Sequence, residues 1–384
     1  MTWTHRERIL AVLNHEEPDR VAIDFGSAEF TSITIAGYEK LKKYLGVDEP
    51  TDVMSIIHTC AHPAESILKR FDVDTRNVQP NAYEGGVDHW IDDNTYVDIF
   101  NVLWKRTEKA VDQHFLHQDG PFHSGKLTVE QVEEYDWPDG KNPGLTRGVK
   151  ERVQSIKENG DHAVCLYIPG GVVHRGYAMR GFEAYLKDLY KRPEAVQRLM
   201  DKLCDFWCDN ATAMIEAAGA ENVDIIYFGE DLGTQESCMF DPDTIYQNYL
   251  KPRHRRMVET VKGLTNNKVK VCYHCCGSAY HFIPHLLDIG VDVLNPVQVT
   301  AKNMEPERLK EEFGNRLAFW GGINTQKILP FGTPEEVAEE TKRIISILGK
   351  GGGYVLNSVH NIQAEVPPEN IVTMFETGVA HRYQ

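Results

Sequence analysis

The residues best equipped for chemistry stand together in Val269-Lys-Val-Cys-Tyr-His-Cys-Cys-Gly-Ser278. Val269 to Tyr273 has the β-branched and aromatic make-up of a short strand, and it runs into a group of soft ligands stopped by Gly277. Side chains alternate across a strand, so His274 and Cys276 face the same way. An imidazole and a thiolate on one face of a strand end suit a thiophilic metal such as zinc. The plainer reading is a core cysteine beside a hydrogen-bonded histidine, both of which are common. Cys272-x-x-Cys275 has a redox spacing, but the adjoining Cys276 and the strand context argue against a thioredoxin-type role.

The chain around this stretch has 384 residues, 41% hydrophobic and 26% charged, which describes a globular protein with ample core. Its formal net charge of −16 argues against nucleic acid, because phosphate backbones are bound by concentrated Lys and Arg. No apolar run approaches the length of a membrane span, so no membrane partner is expected. Met1-Thr-Trp-Thr-His-Arg-Glu-Arg has no apolar signal region, and the cytoplasm is the expected compartment. Eight cysteines in a chain of this length are core fillers, metal ligands or reactive thiols rather than a disulfide scaffold. Cys204 and Cys208, one helical turn apart beside Phe206 and Trp207, read as core.

The elements that must position these groups recur regularly. Thr4 is an N-cap candidate, with Glu7 completing a capping box. Strands are predicted over 21–25, 73–79, 163–168, 223–228, 269–273, 291–294, 317–320 and 354–357. Each is short and apolar, and most alternate with helices, among them 35–45, 63–71, 242–262, 279–288, 306–313 and 334–348. Alternation of this kind implies a parallel sheet with helices outside, and eight units close a (β/α)8 TIM barrel. No G-x-G-x-x-G follows the first strand, as an open dinucleotide-binding sheet would have it. Residues 89–98 read as a hairpin about Asp93-Asn94 with 101–106 alongside, a small antiparallel insertion. The fold class expected is thus α/β, a single barrel domain over residues 1–384.

Chemistry in such barrels sits at the C-terminal strand ends. There stand Asp24, His174 and Arg175, Glu230 and Asp231 with Gln235, His274 and Cys276, Asn295, Asn324, and Asn357 with His360. Closure of the barrel lets Glu230, His274, Cys276 and His360 converge on one point although they are far apart in sequence. Glu230 and Asp231 are candidate acid–base groups or, equally, a solvated or helix-capping pair. Arg175, Gln235, Asn295 and Asn357 are candidate substrate-binding groups. Arg175 and Arg180 could anchor a carboxylate or phosphate, or form ion pairs, and the sequence leaves both open. By strand parity Cys272 points into the barrel and Cys275 toward the helical shell, while His254-Arg255-Arg256 reads as a solvated basic run.

Several of these stretches carry a family likeness. Arg6-Glu-Arg-Ile-Leu with Glu17-Pro-Asp-Arg20, Asp231-Leu-Gly-Thr-Gln235, His274-x-Cys276-Gly277, and the tail Trp320-Gly-Gly-Ile, Gly352-Gly-Tyr and Val359-His-Asn-Ile362 resemble the uroporphyrinogen decarboxylase superfamily. The likeness spans nearly the whole chain and implies a (β/α)8 barrel. Within the superfamily it looks like the branch of zinc-dependent methyltransferases that work with methylated corrinoid proteins. True decarboxylases carry an Arg-Gln-Ala-Gly-Arg type of segment that binds substrate carboxylates, whereas Asp24-Phe-Gly-Ser-Ala-Glu-Phe30 holds no arginine. A polycarboxylate would lack its counter-charges there. The methyltransferases use His-x-Cys with a later cysteine near the final strand, but no cysteine follows Cys276 and His360 stands at about that place.

The resemblance implies zinc on His274 and Cys276. In place of the family's later cysteine, the site expected here departs from that pattern and takes His360 as third ligand, with Glu230 or a substrate completing it and Glu230 or Asp231 taking a proton. The methyl donor would be methylcobamide on a partner corrinoid protein, and the acceptor a small molecule such as a thiol. Self-association into a homodimer is compatible with this reading. A cofactor-free decarboxylase or lyase, with Asp231 or Glu230 as acid–base and Arg175 holding the carboxylate, is the alternative. A non-catalytic corrinoid-binding relative is a third.

Overall fold

A computed structural model describes residues 3–106 and 115–383. Eight parallel strands form the central sheet: β1 (Ala22–Ile23), β2 (Thr75–Val78), β3 (Ala163–Tyr167), β4 (Ile225–Gly229), β5 (Lys270–His274), β6 (Val293–Asn295), β7 (Ala318–Trp320) and β8 (Tyr354–Leu356). Every one lies inside its predicted span or runs one residue past it, though several are shorter at one end by two residues. Hydrogen bonding runs unbroken from β2 through β3 to β8 and on to β1. One residue closes the remaining seam: the Asp74 N–H donates to the Ile23 carbonyl (2.8 Å), and the Asp74 carboxylate accepts from the Ile23 N–H (2.7 Å). The fold is a TIM-barrel-like α/β fold.

Strand parity builds the interior. Ala163, Cys165 and Tyr167 of β3 join Tyr227, Cys272, Val293, Trp320 and Val355 inside the barrel. Their neighbours Val164 and Leu166 pack outward against the helices. Cys272 thus lies inside and Cys275 in the shell, as their spacing predicts. Ile9, Val12 and Leu13 of the helix His5–Leu13 plug the N-terminal end of the barrel. That helix starts at the predicted Thr4–Glu7 capping box, which satisfies two otherwise orphaned N–H groups. Beneath it Asp74 is fully buried and paired with His5 (2.8 Å), Arg8 (2.6 Å) and Arg20 (2.8 Å). Burial would raise the Asp74 carboxyl, but the bond from His5 and the two guanidinium charges hold it below its ordinary value.

Two features exceed the sequence expectation. The insertion is a sheet of four described strands, His89–Asp92, Thr95–Val97, Leu103–Lys105 and Leu116–Asp119, larger than a hairpin with one neighbour. A further three-stranded sheet, Ile33–Thr34, Asp52–Ser55 and Cys60–His62, was not foreseen, because strands this short leave no readable alternation. The span predicted as one helix over 242–262 changes geometry at Lys251, where Pro252 removes a backbone donor. Among the described residues no helix is long and apolar enough to cross a membrane.

Candidate metal centre

His274 is the last residue of β5, and Cys276 follows it into a turn that the chain can make only with glycine. Gly277 has φ +78°, and a Cβ there would lie 2.7 Å from the backbone of Gly233 and Thr234 in the loop after β4. Cross-loop hydrogen bonds complete the clamp: Cys276 N–H to Asp231 Oδ1 (2.8 Å), Gly277 N–H to Gln298 Oε1 (2.6 Å) and Ser278 N–H to the Thr234 carbonyl (2.8 Å). Cys276 Sγ is thereby held 3.4 Å from His274 Nε2.

His360, in the loop after β8, swings over the same point. Its ring centre lies 5.8 Å from that of His274, and its Nδ1 side is held by Asn361 Oδ1. One ligand atom each from His274, Cys276 and His360 lies within 4.8 Å of the others. Zinc bonded tetrahedrally to nitrogen and sulfur sets its ligands roughly 3.3–3.8 Å apart, so modest closure would bring this set into place.

The donor chemistry suits such an ion. Burial lowers the His274 imidazole pKa, against the opposing pull of Asp231. Burial, helped by His274, pushes His360 down to about 3. Both rings are therefore neutral near pH 7, with lone pairs to offer. Burial and the neighbouring Asp231 push the Cys276 thiol well above its ordinary value, so without a cation it keeps its proton. Asp231 flanks the cluster, with Oδ1 3.7 Å from His274 Nε2 and Oδ2 3.5 Å from His174 Nε2. Burial would raise its carboxyl, yet His174, His274 and the Cys276 N–H hold it well below the usual carboxylate range. His174 loses to burial but gains more from Asp231, and its pKa is raised.

Other predicted site residues stand elsewhere. Glu230 is turned from the cluster: its carboxylate accepts from the N–H groups of Val172 (2.6 Å), Val173 and His174 (3.1 Å), capping the helix Val172–Arg180, and meets His254 Nε2 at 2.9 Å. Both partners of that pair are 1% exposed. A charge so buried must be paired, and here all its partners are structural. His254 is accordingly core, correcting its reading as part of a solvated run. Arg175 pairs with Asp98 and stacks on Phe100 (4.7 Å) and Trp104 (5.7 Å), tying the insertion to the barrel mouth. Arg180 is buried against Asp188 and the carbonyls of Phe122 and Gly125. Gln235 braces loops through Thr300 and Gln298, and Asn357 is fully buried on Asp24 and the Thr31 carbonyl. Asn295 lies behind His274, accepting from its Nδ1 at 2.8 Å.

Sequence reasoning missed Phe30, whose ring stacks on His274 (4.0 Å, 20°) and lies 5.3 Å from both His360 and His58. Its neighbour Glu29 binds Tyr167 and His58; burial opposes its charge, but His58 brings its pKa down to about 2. A large aromatic in the loop after β1 was the available signal, because that loop opens on the barrel mouth.

A parallel barrel carrying an imidazole–thiol–imidazole cluster at its C-terminal rim defines the class of scaffold; sequence comparison narrows it. Residues 111–381 match the Uroporphyrinogen decarboxylase (URO-D) family, and the chain belongs to it. A uroporphyrinogen decarboxylase of Psychromonas ingrahamii is 26% identical over 205 residues, 51% of each chain. One from Saccharophagus degradans is 29% identical over 200 residues, again 51% of each. The chain thus spans about half the length of these curated relatives. In three dimensions a methyltransferase from Methanosarcina mazei shares the fold over 98% of this chain and 99% of its own, with a TM-score of 0.65 and 16% identity.

Proposed function

We propose that the chain is a zinc-dependent methyltransferase that moves a methyl group from a methylated corrinoid protein to a thiol or related acceptor. The observation that supports it most is the meeting of His274, Cys276 and His360 at one point of the barrel rim. These three would hold the ion and leave a fourth direction open, as catalytic zinc sites do. Bound there, zinc would supply the positive charge that favours an acceptor's thiolate over its thiol. Asp231, with 32% of its side chain exposed, orients the acceptor, and His174 beside it takes the thiol proton as an imidazolium paired to that carboxylate. A methylated corrinoid on the partner protein would serve as substrate and supply the methyl group: the acceptor sulfur would bond to its carbon, and the electron pair of the methyl–cobalt bond would stay with the corrinoid. Phe30 covers one face of His274 and keeps water from it.

The alternative, a cofactor-free decarboxylase or lyase, draws support from the names of the sequence relatives. It needs a cation for the substrate carboxylate, and Arg175 is already neutralised by Asp98. Metal analysis of gently purified, untagged protein separates the two readings. About one zinc per chain is expected, lost together with methyl transfer in Cys276→Ser. Full activity in that variant, or in chelator-treated protein, would sink the proposal.

A further inference from the structure

We propose that Asn295, steered by Tyr227 and the backbone of Trp320, is a positioning residue that fixes His274 in the one tautomer able to bind metal beside Cys276. The role rests on the metal reading given above and adds a residue to it. Four adjacent strands supply the parts. His274 and Asn295 are register partners on β5 and β6, Tyr227 lies on β4, and Trp320 ends β7.

The argument runs inward from a group that has no choice. A backbone carbonyl can only accept, so the Trp320 oxygen, 3.2 Å from Asn295 Nδ2, must face the amide NH2. The Asn295 amide oxygen is then turned toward β4 and β5. There it meets the Tyr227 hydroxyl and His274 Nδ1 at 2.8 Å. An amide oxygen offers lone pairs and no proton, so both neighbours donate to it, the Tyr227 hydroxyl giving its one proton to this much nearer oxygen rather than to Nδ1 at 3.3 Å. Nδ1 of His274 therefore carries the ring proton, and its lone pair sits on Nε2. That nitrogen faces Cys276 Sγ at 3.4 Å, on the side where His360 arrives.

Asn295 and Tyr227 are fully buried and His274 is 1% exposed, so water does not offer the ring an alternative partner. Phe30, stacked on the other side of the imidazole, restrains its rotation. A ring free to flip or to carry its proton on Nε2 would present N–H to the cluster and repel a cation. The hydrogen bond to Nδ1 also makes Nε2 a better electron donor, as partners behind metal-bound histidines do.

The test compares zinc affinity of the full-length wild type, Asn295→Ala, Asn295→Asp and Tyr227→Phe by competition with a chromophoric chelator. In parallel, nitrogen NMR reads the His274 ring in the metal-free proteins, its signals assigned by their loss in His274→Gln. Asn295→Ala is expected to weaken zinc binding by about 10- to 100-fold. Asn295→Asp, kept protonated by its full burial, turns a carbonyl oxygen to Nδ1 and its hydroxyl to the Trp320 carbonyl, and should restore affinity to within about threefold of wild type. Tyr227→Phe should fall between, because Asn295 loses only its second donor. The wild-type spectrum should show a protonated Nδ1 and a bare Nε2. Should Asn295→Ala fail to fold, the aspartate variant and the wild-type ring spectrum still decide. Unchanged zinc affinity in Asn295→Ala, no rescue by aspartate, or a proton found on Nε2 would overturn the role while leaving the metal centre in place. A wild-type chain that binds no zinc would remove the metal reading, and this role with it.

Discussion

Glu230 and Asp231 are neighbours in sequence and carry the same chemistry, yet the fold gives them different work. Asp231 looks into the cluster, holding the Cys276 N–H and facing His274 and His174. Glu230 points the other way, into the N-terminus of the helix Val172–Arg180 and onto His254. The consequences for mutation differ in transfer rather than in stability alone. Glu230→Gln leaves zinc binding intact but breaks a buried pair, with an expected loss of about 3 kcal/mol in denaturant unfolding. Asp231→Asn also costs stability, because His174, His274 and the Cys276 N–H all favour its charge, but zinc and transfer register it most, with the rate lowered by roughly 100-fold if it positions acceptor and proton carrier. Urea titrations and transfer rates on the two variants separate the roles. A Glu230→Gln protein of unchanged stability would mean that His254 and the helix N-terminus do not need the charge.

Among the elements, the N-terminal helix and the β1–β2 seam depend on one side chain. Asp74 replaces a missing strand-to-strand bond at Ile23 and collects His5, Arg8 and Arg20. Its carboxyl is held below the ordinary value of about 3.9. A group depressed on folding lends stability at pH values above its unfolded pKa and loses it as pH falls through the folded one. Wild type should thus lose stability progressively below about pH 4, whereas Asp74→Asn, already destabilised by about 3–5 kcal/mol at neutral pH, should show a flatter acid limb. Urea midpoints measured from pH 7 to pH 3 check this, and parallel acid limbs would refute it. The insertion is fastened in a comparable way, by Arg175 on Asp98 with Phe100 and Trp104 beneath. Arg175→Ala should therefore make limited proteolysis begin within residues 89–105 while the barrel's unfolding midpoint stays nearly unchanged. Cleavage that starts elsewhere would show the sheet to be held by other contacts.

Across the whole molecule, the eight barrel strands were legible because each is buried on both faces and bounded by Gly, Pro or polar residues. Parity along β5 also placed Cys272 and Cys275 correctly, since a strand has only two sides. The approach of His360 to His274 and Cys276 followed from closure of the barrel, a rule about connectivity rather than about neighbours. What escaped was contact between side chains at the rim. Nothing local marks Phe30 as the residue that will stack on His274, and nothing in Asn295 says that its oxygen will face an imidazole rather than a substrate. Arg175 reads the same whether it is open to an anion or neutralised by Asp98.

By itself the sequence determined the count and order of strands, the rim on which chemistry collects and the pairing of imidazole with thiol where β5 ends, because periodicity, turn residues and strand parity are local properties. Only the tertiary structure decided which polar groups at that rim are already satisfied. A carboxylate or amide is spoken for when a partner far along the chain arrives within hydrogen-bonding distance, as Glu230 finds His254 and Asn295 finds Trp320. Such meetings depend on where whole strands and helices pack, which no short stretch of residues encodes.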